Sequence, residues 1–153
     1  MIYYCDSSAL VKIYLDETGS SYMKTLSRKT PRADIFINDI AGPEVLSALH
    51  RRFRSGDLPN ETFSRARSDF GEDYRKFFSR ISALDSIIYL AMRIIDKHSL
   101  RGYDSVQLAT ALHLQQILRA FNGREVFFVG SDKALNAAAA QEGLNVINPA
   151  ESA

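Results

Sequence analysis

Tryptophan is missing from this 153-residue chain, cysteine occurs once and proline four times, and neither sign of charge dominates, with 19 Lys and Arg against 18 Asp and Glu. Each shortage excludes something. A lone Cys5, placed inside an apolar run, cannot close an internal disulfide and reads as a buried small hydrophobe. The near-balanced charge gives no basic excess of the kind that marks many nucleic-acid binders, although a local basic face remains compatible with a neutral total. No stretch approaches the apolar length of a membrane span. The opening MIYYCDSSALVK meets an acid at its sixth residue and has no basic stretch followed by a long apolar one. It does not read as a signal peptide, and the cytoplasm is the expected compartment. Repeats, low-complexity tracts, flexible linkers and Gly-rich phosphate loops are also lacking. The length fits one domain spanning 1–153.

What is present is an alternation of short apolar runs and helical patterns. Residues 2–5 (IYYC) predict a buried strand, and Leu10, Val11, Tyr14 and Leu15 then recur at helical spacing until Gly19. A helix over about 20–29 follows, then a strand at Ile35–Ile37 and a helix with Pro43 in its first turn. From Pro59 to about Phe78 the pattern predicts one or two charged amphipathic helices forming a projecting arm, with a weak extended signal near 78–81. Helices from Asp85 or Ser86 and from Asp104, a strand at 126–129, a helix after Asp132 and a short strand at 146–147 complete the chain. Strands separated by helices predict an α/β fold, a parallel sheet with helices on both faces.

Four acids fall at strand–helix boundaries: Asp6, Glu44, Asp104 and Asp132. One such acid ordinarily caps a helix or meets its dipole, and each of the four has that reading open to it. In an open parallel sheet, however, such boundaries converge on one crevice, so acids far apart in the chain can meet. Grouped carboxylates repel unless a cation sits among them, and an all-oxygen set suits Mg²⁺ or Mn²⁺. Asp6 in D-S-S-A-L-V-K and Asp132 in F-F-V-G-S-D-K-A-L repeat one arrangement, each beside a hydroxyl, Ser8 and Ser131, that could orient a carboxylate. Lys12 is a candidate phosphate contact or a solvated helical lysine. Arg51, Arg52, Arg54 and Arg101 are candidates for an RNA-facing rim or a solvated charged face. His50, His98 and His113 lack metal-ligand spacing and are expected in structural roles.

D-S-S-A-L-V-K, the helical Glu44, L-R-G-Y-D-S-V-Q-L-A-T-A-L and F-V-G-S-D-K-A-L occur in the order seen in PIN-domain nucleases. Over essentially its whole length the chain resembles that family, particularly the VapC-type toxins of toxin–antitoxin pairs. Position by position, Asp6, Glu44, Asp104 and Asp132 match the family's acidic metal-site residues, and Ser8 and Ser131 its hydroxyl positions. The resemblance implies a Mg²⁺- or Mn²⁺-dependent endoribonuclease leaving a 5′-phosphate and a 3′-hydroxyl. It also implies a homodimer restrained by a small antitoxin protein.

The residues admit rivals. A phosphatase would want a second acid two residues after Asp6, where Ser8 stands, and a receiver-like phosphoacceptor would want adjacent acids near the first strand. A noncatalytic RNA- or protein-binding module of the same fold is the alternative of a different class, and the complete acidic set argues against it. For the antitoxin, the apolar spacing of the first helices and of the 59–78 arm predicts a groove that takes an amphipathic helix, with ordinary core packing as the competing explanation.

Overall fold

The computed structural model describes residues 1–152. Its strands are β1 (Ile2–Cys5), β2 (Ile35–Asn38), β3 (Ser79–Ile81), β4 (Val126–Val129) and β5 (Asn145–Ile147). Its helices are α1 (Ser7–Tyr14), α2 (Ser20–Lys29), α3 (Ala41–Arg54), α4 (Asn60–Lys76), α5 (Asp85–His98), α6 (Gly102–Asn122) and α7 (Lys133–Gln141). All strand pairs are parallel, in the order β3-β2-β1-β4-β5. The α/β architecture read from the sequence is the one observed. The weak extended signal near 78–81 proves to be β3, an edge strand too short and too polar to announce itself.

Side chains that alternate along a strand leave it on opposite faces. In β1, Ile2 and Tyr4 enter one core while Cys5 enters the other; in β4, Val126 and Phe128 part from Val129 in the same way. The core that takes Cys5 and Val129 is closed by α1 to α4, and the one that takes Ile2, Tyr4, Val126 and Phe128 by α5 to α7. Both faces are therefore covered, which explains why the central strands read as unbroken apolar runs. Cys5 is fully buried, and burial holds its thiol protonated. No helix among the described residues is long and apolar enough to cross a membrane.

The expected arm is one continuous helix, and it is anchored rather than projecting. Phe63, Ala66 and Phe70 of α4 are buried, Phe70 meets Tyr14 of α1 edge-on at 5.5 Å, and Phe63 stacks on Phe53 of α3 at 4.4 Å. These contacts assign Phe63 and Phe70 to core packing, the competing explanation for their spacing. The aromatics of this region are core.

Candidate active site

β1 lies at the centre of the sheet; the chain builds outward through β2 to β3 on one side and then crosses to β4 on the other, so the β1–β4 junction is the topological switch point at which open α/β sheets bind ligands. Asp6 follows β1 directly, and its backbone N–H extends the ladder by one bond, to the Val129 carbonyl at 3.0 Å. Its Oδ1 accepts the Ala9 N–H at 2.9 Å and so caps α1; Asp132 Oδ1 caps α7 through the Leu135 N–H at 2.8 Å. Glu44 and Asp104 sit in the first turns of α3 and α6, and neither helix is capped by a side chain. Capping thus accounts for part of what Asp6 and Asp132 do and for nothing that Glu44 and Asp104 do. All four line one cleft of about 920 Å³, whose apolar wall includes Ile88, Met92 and Ile95 of α5.

The acids share the cleft at an electrostatic cost. Burial pushes the Asp6 carboxyl up to about 7, the charges of Glu44 and Asp104 add to the rise, and hydrogen bonds from Ser8 and the Ala9 N–H oppose it. Glu44 is also raised, by burial first and by Asp104, against hydrogen bonds from Ser7 and Gln107 and the charge of Arg101. Arg101 Nε donates to Asp104 Oδ2 at 2.8 Å, with its own side chain largely in solvent. A set of carboxylates that disfavour one another's ionisation is one that a cation stabilises.

The structure brings together most of the residues singled out from the sequence. Ser8 Oγ reaches both Asp6 oxygens, at 2.7 and 2.9 Å, and accepts the Ser131 N–H at 2.8 Å. The hydroxyl of Ser131 is buried without a hydrogen-bond partner among the described residues. Arg51 and Arg101 line the cleft, while Arg52 is tied to Glu17 at 2.6 Å. Lys12 is a correction. It is buried, donating to Glu17 at 2.7 Å and to the Thr18 carbonyl at 2.9 Å, so it is neither a solvated lysine nor available to a phosphate. His98 pairs with Glu142 at 2.6 Å and His50 packs edge-on against Phe63, both structural roles.

Four site residues escaped sequence reasoning. Ser7 and Gln107 both donate to Glu44 Oε2, at 2.9 and 2.6 Å, and Tyr4 holds Gln107 through a 2.6 Å bond. Asn136 donates to the Gly130 carbonyl at 2.8 Å, beside Asp6. Tyr4 and Gln107 are 103 positions apart and Gln107 and Glu44 are 63 apart, so no local signal marks these links.

The site's fit to a divalent ion rests on its donors. Among the described residues no three Asp, Glu, His or Cys side chains converge as a finished metal cage. The cleft nevertheless offers four carboxylates with no His or Cys among its lining residues, which is the ligand chemistry of Mg²⁺, Mn²⁺ or Ca²⁺ rather than of Zn²⁺.

An open parallel sheet with an acid-lined crevice at the carboxyl ends of its central strands defines a small α/β protein suited to hard cations. Residues 3–128 match the PIN domain, and the chain belongs to the PIN-domain family. That match contains Asp6, Glu44 and Asp104 and ends before Asp132, whose place in the site is given by the cleft itself. The chain is 34% identical over 109 residues to Ribonuclease VapC45 of Mycobacterium tuberculosis, covering 71% of this chain and 74% of that protein. In fold it is similar to FitAcB from Neisseria gonorrhoeae, with a TM-score of 0.69 at 12% identity over 98% of this chain and 99% of that one. A toxin–antitoxin complex from Klebsiella pneumoniae has a TM-score of 0.62 at 15% identity, covering 97% and 98% of the two chains.

Proposed function

We propose that this protein is an endoribonuclease dependent on Mg²⁺ or Mn²⁺, the toxin of a toxin–antitoxin pair, acting in the cytoplasm. The observation that carries this reading is the convergence of Asp6, Glu44, Asp104 and Asp132 on one cleft from four separate elements. The similarity to Ribonuclease VapC45 supplies the substrate class. Asp6 and Asp104 would be the principal ligands of one or two divalent ions, with Glu44 and Asp132 completing the set. A bound ion supplies charge neutralisation at the scissile phosphate and a water more easily deprotonated than in bulk. Glu44, of these acids the one held by two side-chain donors, would accept that proton. Arg51 and Arg101 on the cleft wall attract the RNA backbone.

Water as nucleophile excludes a 2′,3′-cyclic phosphate, and the resemblance to PIN-domain nucleases favours a 5′-phosphate and a 3′-hydroxyl. Purified protein incubated with cellular RNA should cleave it in Mg²⁺ or Mn²⁺, stop on chelation without unfolding, and resume when the ion is returned. Cleavage that survives exhaustive chelation, or products ending in a 2′,3′-cyclic phosphate, would overturn the mechanism.

Restraint by an antitoxin follows from the danger of such an enzyme to its own cell. The apolar wall of Ile88, Met92 and Ile95 opposite the acids suits a partner helix whose basic side chain pairs with the carboxylates. Tyr89, Ile117 and Phe121 are exposed apolar residues that do not line the cleft, and they support a homodimer through a separate surface. Expression alone should slow growth, and co-expression with the neighbouring small protein should relieve it. Harmless expression with no binding neighbour would end the toxin reading and leave the nuclease reading standing.

A further inference from the structure

A buried hydrogen-bonded chain leads to Glu44, and the proposed chemistry uses only its last bond. The Tyr4 hydroxyl donates to Gln107 Oε1 at 2.6 Å, and Gln107 Nε2 donates to Glu44 Oε2 at 2.6 Å. Tyr4 is 0% exposed and Gln107 1%. The phenol O–H is the donor of this bond, and the amide oxygen its acceptor. That fixes the amide. Its oxygen faces the phenol, and its nitrogen can only turn to the carboxylate.

Ser7 Oγ donates to the same Glu44 oxygen at 2.9 Å. Both donors converge on Oε2, and no hydrogen bond from the described residues falls on Oε1. We infer that Tyr4 and Gln107 are positioning residues that dedicate Glu44 Oε2 to the protein frame and leave Oε1 as the oxygen available to a cation or a proton. This deepens the nuclease reading and rests on it for the identity of the ligand.

The placement of the two residues gives the link its use. Tyr4 precedes Asp6 by two positions on β1, and Gln107 follows Asp104 by three on α6. One chain of two hydrogen bonds therefore ties together the three elements that carry Asp6, Asp104 and Glu44. It sets the spacing of acids that would otherwise move apart by repulsion. A merely structural network would need no carboxylate at its end, since a buried amide is satisfied equally well by a backbone carbonyl.

The test compares wild type with Gln107→Met, which keeps length and loses the donor, and Tyr4→Phe, which keeps the ring that stacks on Phe128 and touches neither Glu44 nor the cleft. Three measurements are made on folded protein: side-chain order of Glu44 by methylene relaxation in the absence of metal, Mn²⁺ affinity by calorimetry in the absence of RNA, and kcat and KM for RNA. Gln107→Met should disorder Glu44, weaken Mn²⁺ about tenfold and lower kcat with KM little changed; Tyr4→Phe should do the same more weakly. Unchanged Glu44 order and unchanged Mn²⁺ affinity in either folded variant would overturn the inference. Should Gln107→Met fail to fold, Tyr4→Phe alone decides. Should wild type neither bind Mn²⁺ nor cleave RNA, the nuclease reading falls, and Glu44 order in the metal-free variants still decides whether Gln107 positions it.

Discussion

The hydroxyl of Ser8 serves Asp6 twice, donating to Oδ1 at 2.7 Å and to Oδ2 at 2.9 Å as a three-centre bond, while its own oxygen accepts the Ser131 N–H at 2.8 Å. One side chain thus joins the acid after β1 to the turn after β4. Ser8→Ala leaves the Ser131 N–H without its acceptor and removes a bond that favours ionised Asp6. Stability measured by urea unfolding in chelator should fall by about 1–2 kcal/mol, and metal-dependent cleavage should fall with it. Wild-type stability together with wild-type activity would show that the hydroxyl does neither job.

Asp6 should make the metal-free protein less stable as pH rises. Its carboxyl is raised from 3.8 to about 7 in the folded chain, so between these values the native state holds a proton that the unfolded chain has lost. The unfolded state then binds fewer protons, and stability declines as pH climbs through that window and levels off above about 7. Glu44 is shifted in the same direction and adds to the decline. Asp6→Asn keeps an Oδ1 acceptor for the Ala9 cap while removing the charge. Thermal melts in chelator should therefore show the variant gaining on wild type from about pH 4 to 7, with cleavage abolished at every pH. Parallel melting curves for the two proteins across this range would contradict the buried acid cluster.

The four acids were legible because each lies beside a local signal, an apolar run that stops or a helix that starts. Sheet topology then supplied the convergence. Gln107 carries no such mark: in its own segment it is one polar residue in an apolar helix, and its meaning arises only because the fold brings Tyr4 of β1 and Glu44 of α3 to its amide. Lys12 misled for the complementary reason. Its helical neighbours suggest an exposed face, yet the turn after α1 brings Glu17 and the Thr18 carbonyl over the ammonium and closes it from solvent. The arm misled because its charged majority hides Phe63, Ala66 and Phe70, three residues spaced to bury one face of a single helix.

Lys12 therefore belongs to the frame rather than to the RNA surface. Lys12→Met removes the donor to Glu17 and to a carbonyl, while Arg52 still holds Glu17 at 2.6 Å. The expected result is a loss of about 1–2 kcal/mol in unfolding free energy, moderated because Glu17 is partly solvated, with KM for RNA unchanged. A raised KM at unchanged stability would restore the phosphate-contact role.

Gly130 offers the sharpest steric test of the site. A Cβ there would stand 2.9 Å from Asn136 Oδ1, 3.1 Å from Asp6 Oδ2 and 3.1 Å from Phe128 Cε1. Phe128 is fully buried and stacked on Tyr4, and Asn136 cannot swing away without releasing the Gly130 carbonyl that its amide holds. The Asp6 carboxylate is left to give way, toward the cleft where the ion is expected. Gly130→Ala should cost about 1–3 kcal/mol by overpacking, and it should weaken Mn²⁺ binding and cleavage by more than that loss of stability explains. Gly102→Ala is the control. It lies in the first turn of α6 among the cleft residues, and nothing stands within 4 Å of its added Cβ. Its stability should be unchanged or higher by about 0.4–1 kcal/mol, because alanine loses less chain freedom on folding than glycine. Equal effects of the two substitutions on Mn²⁺ affinity would mean that crowding at Asp6 is not what Gly130 avoids.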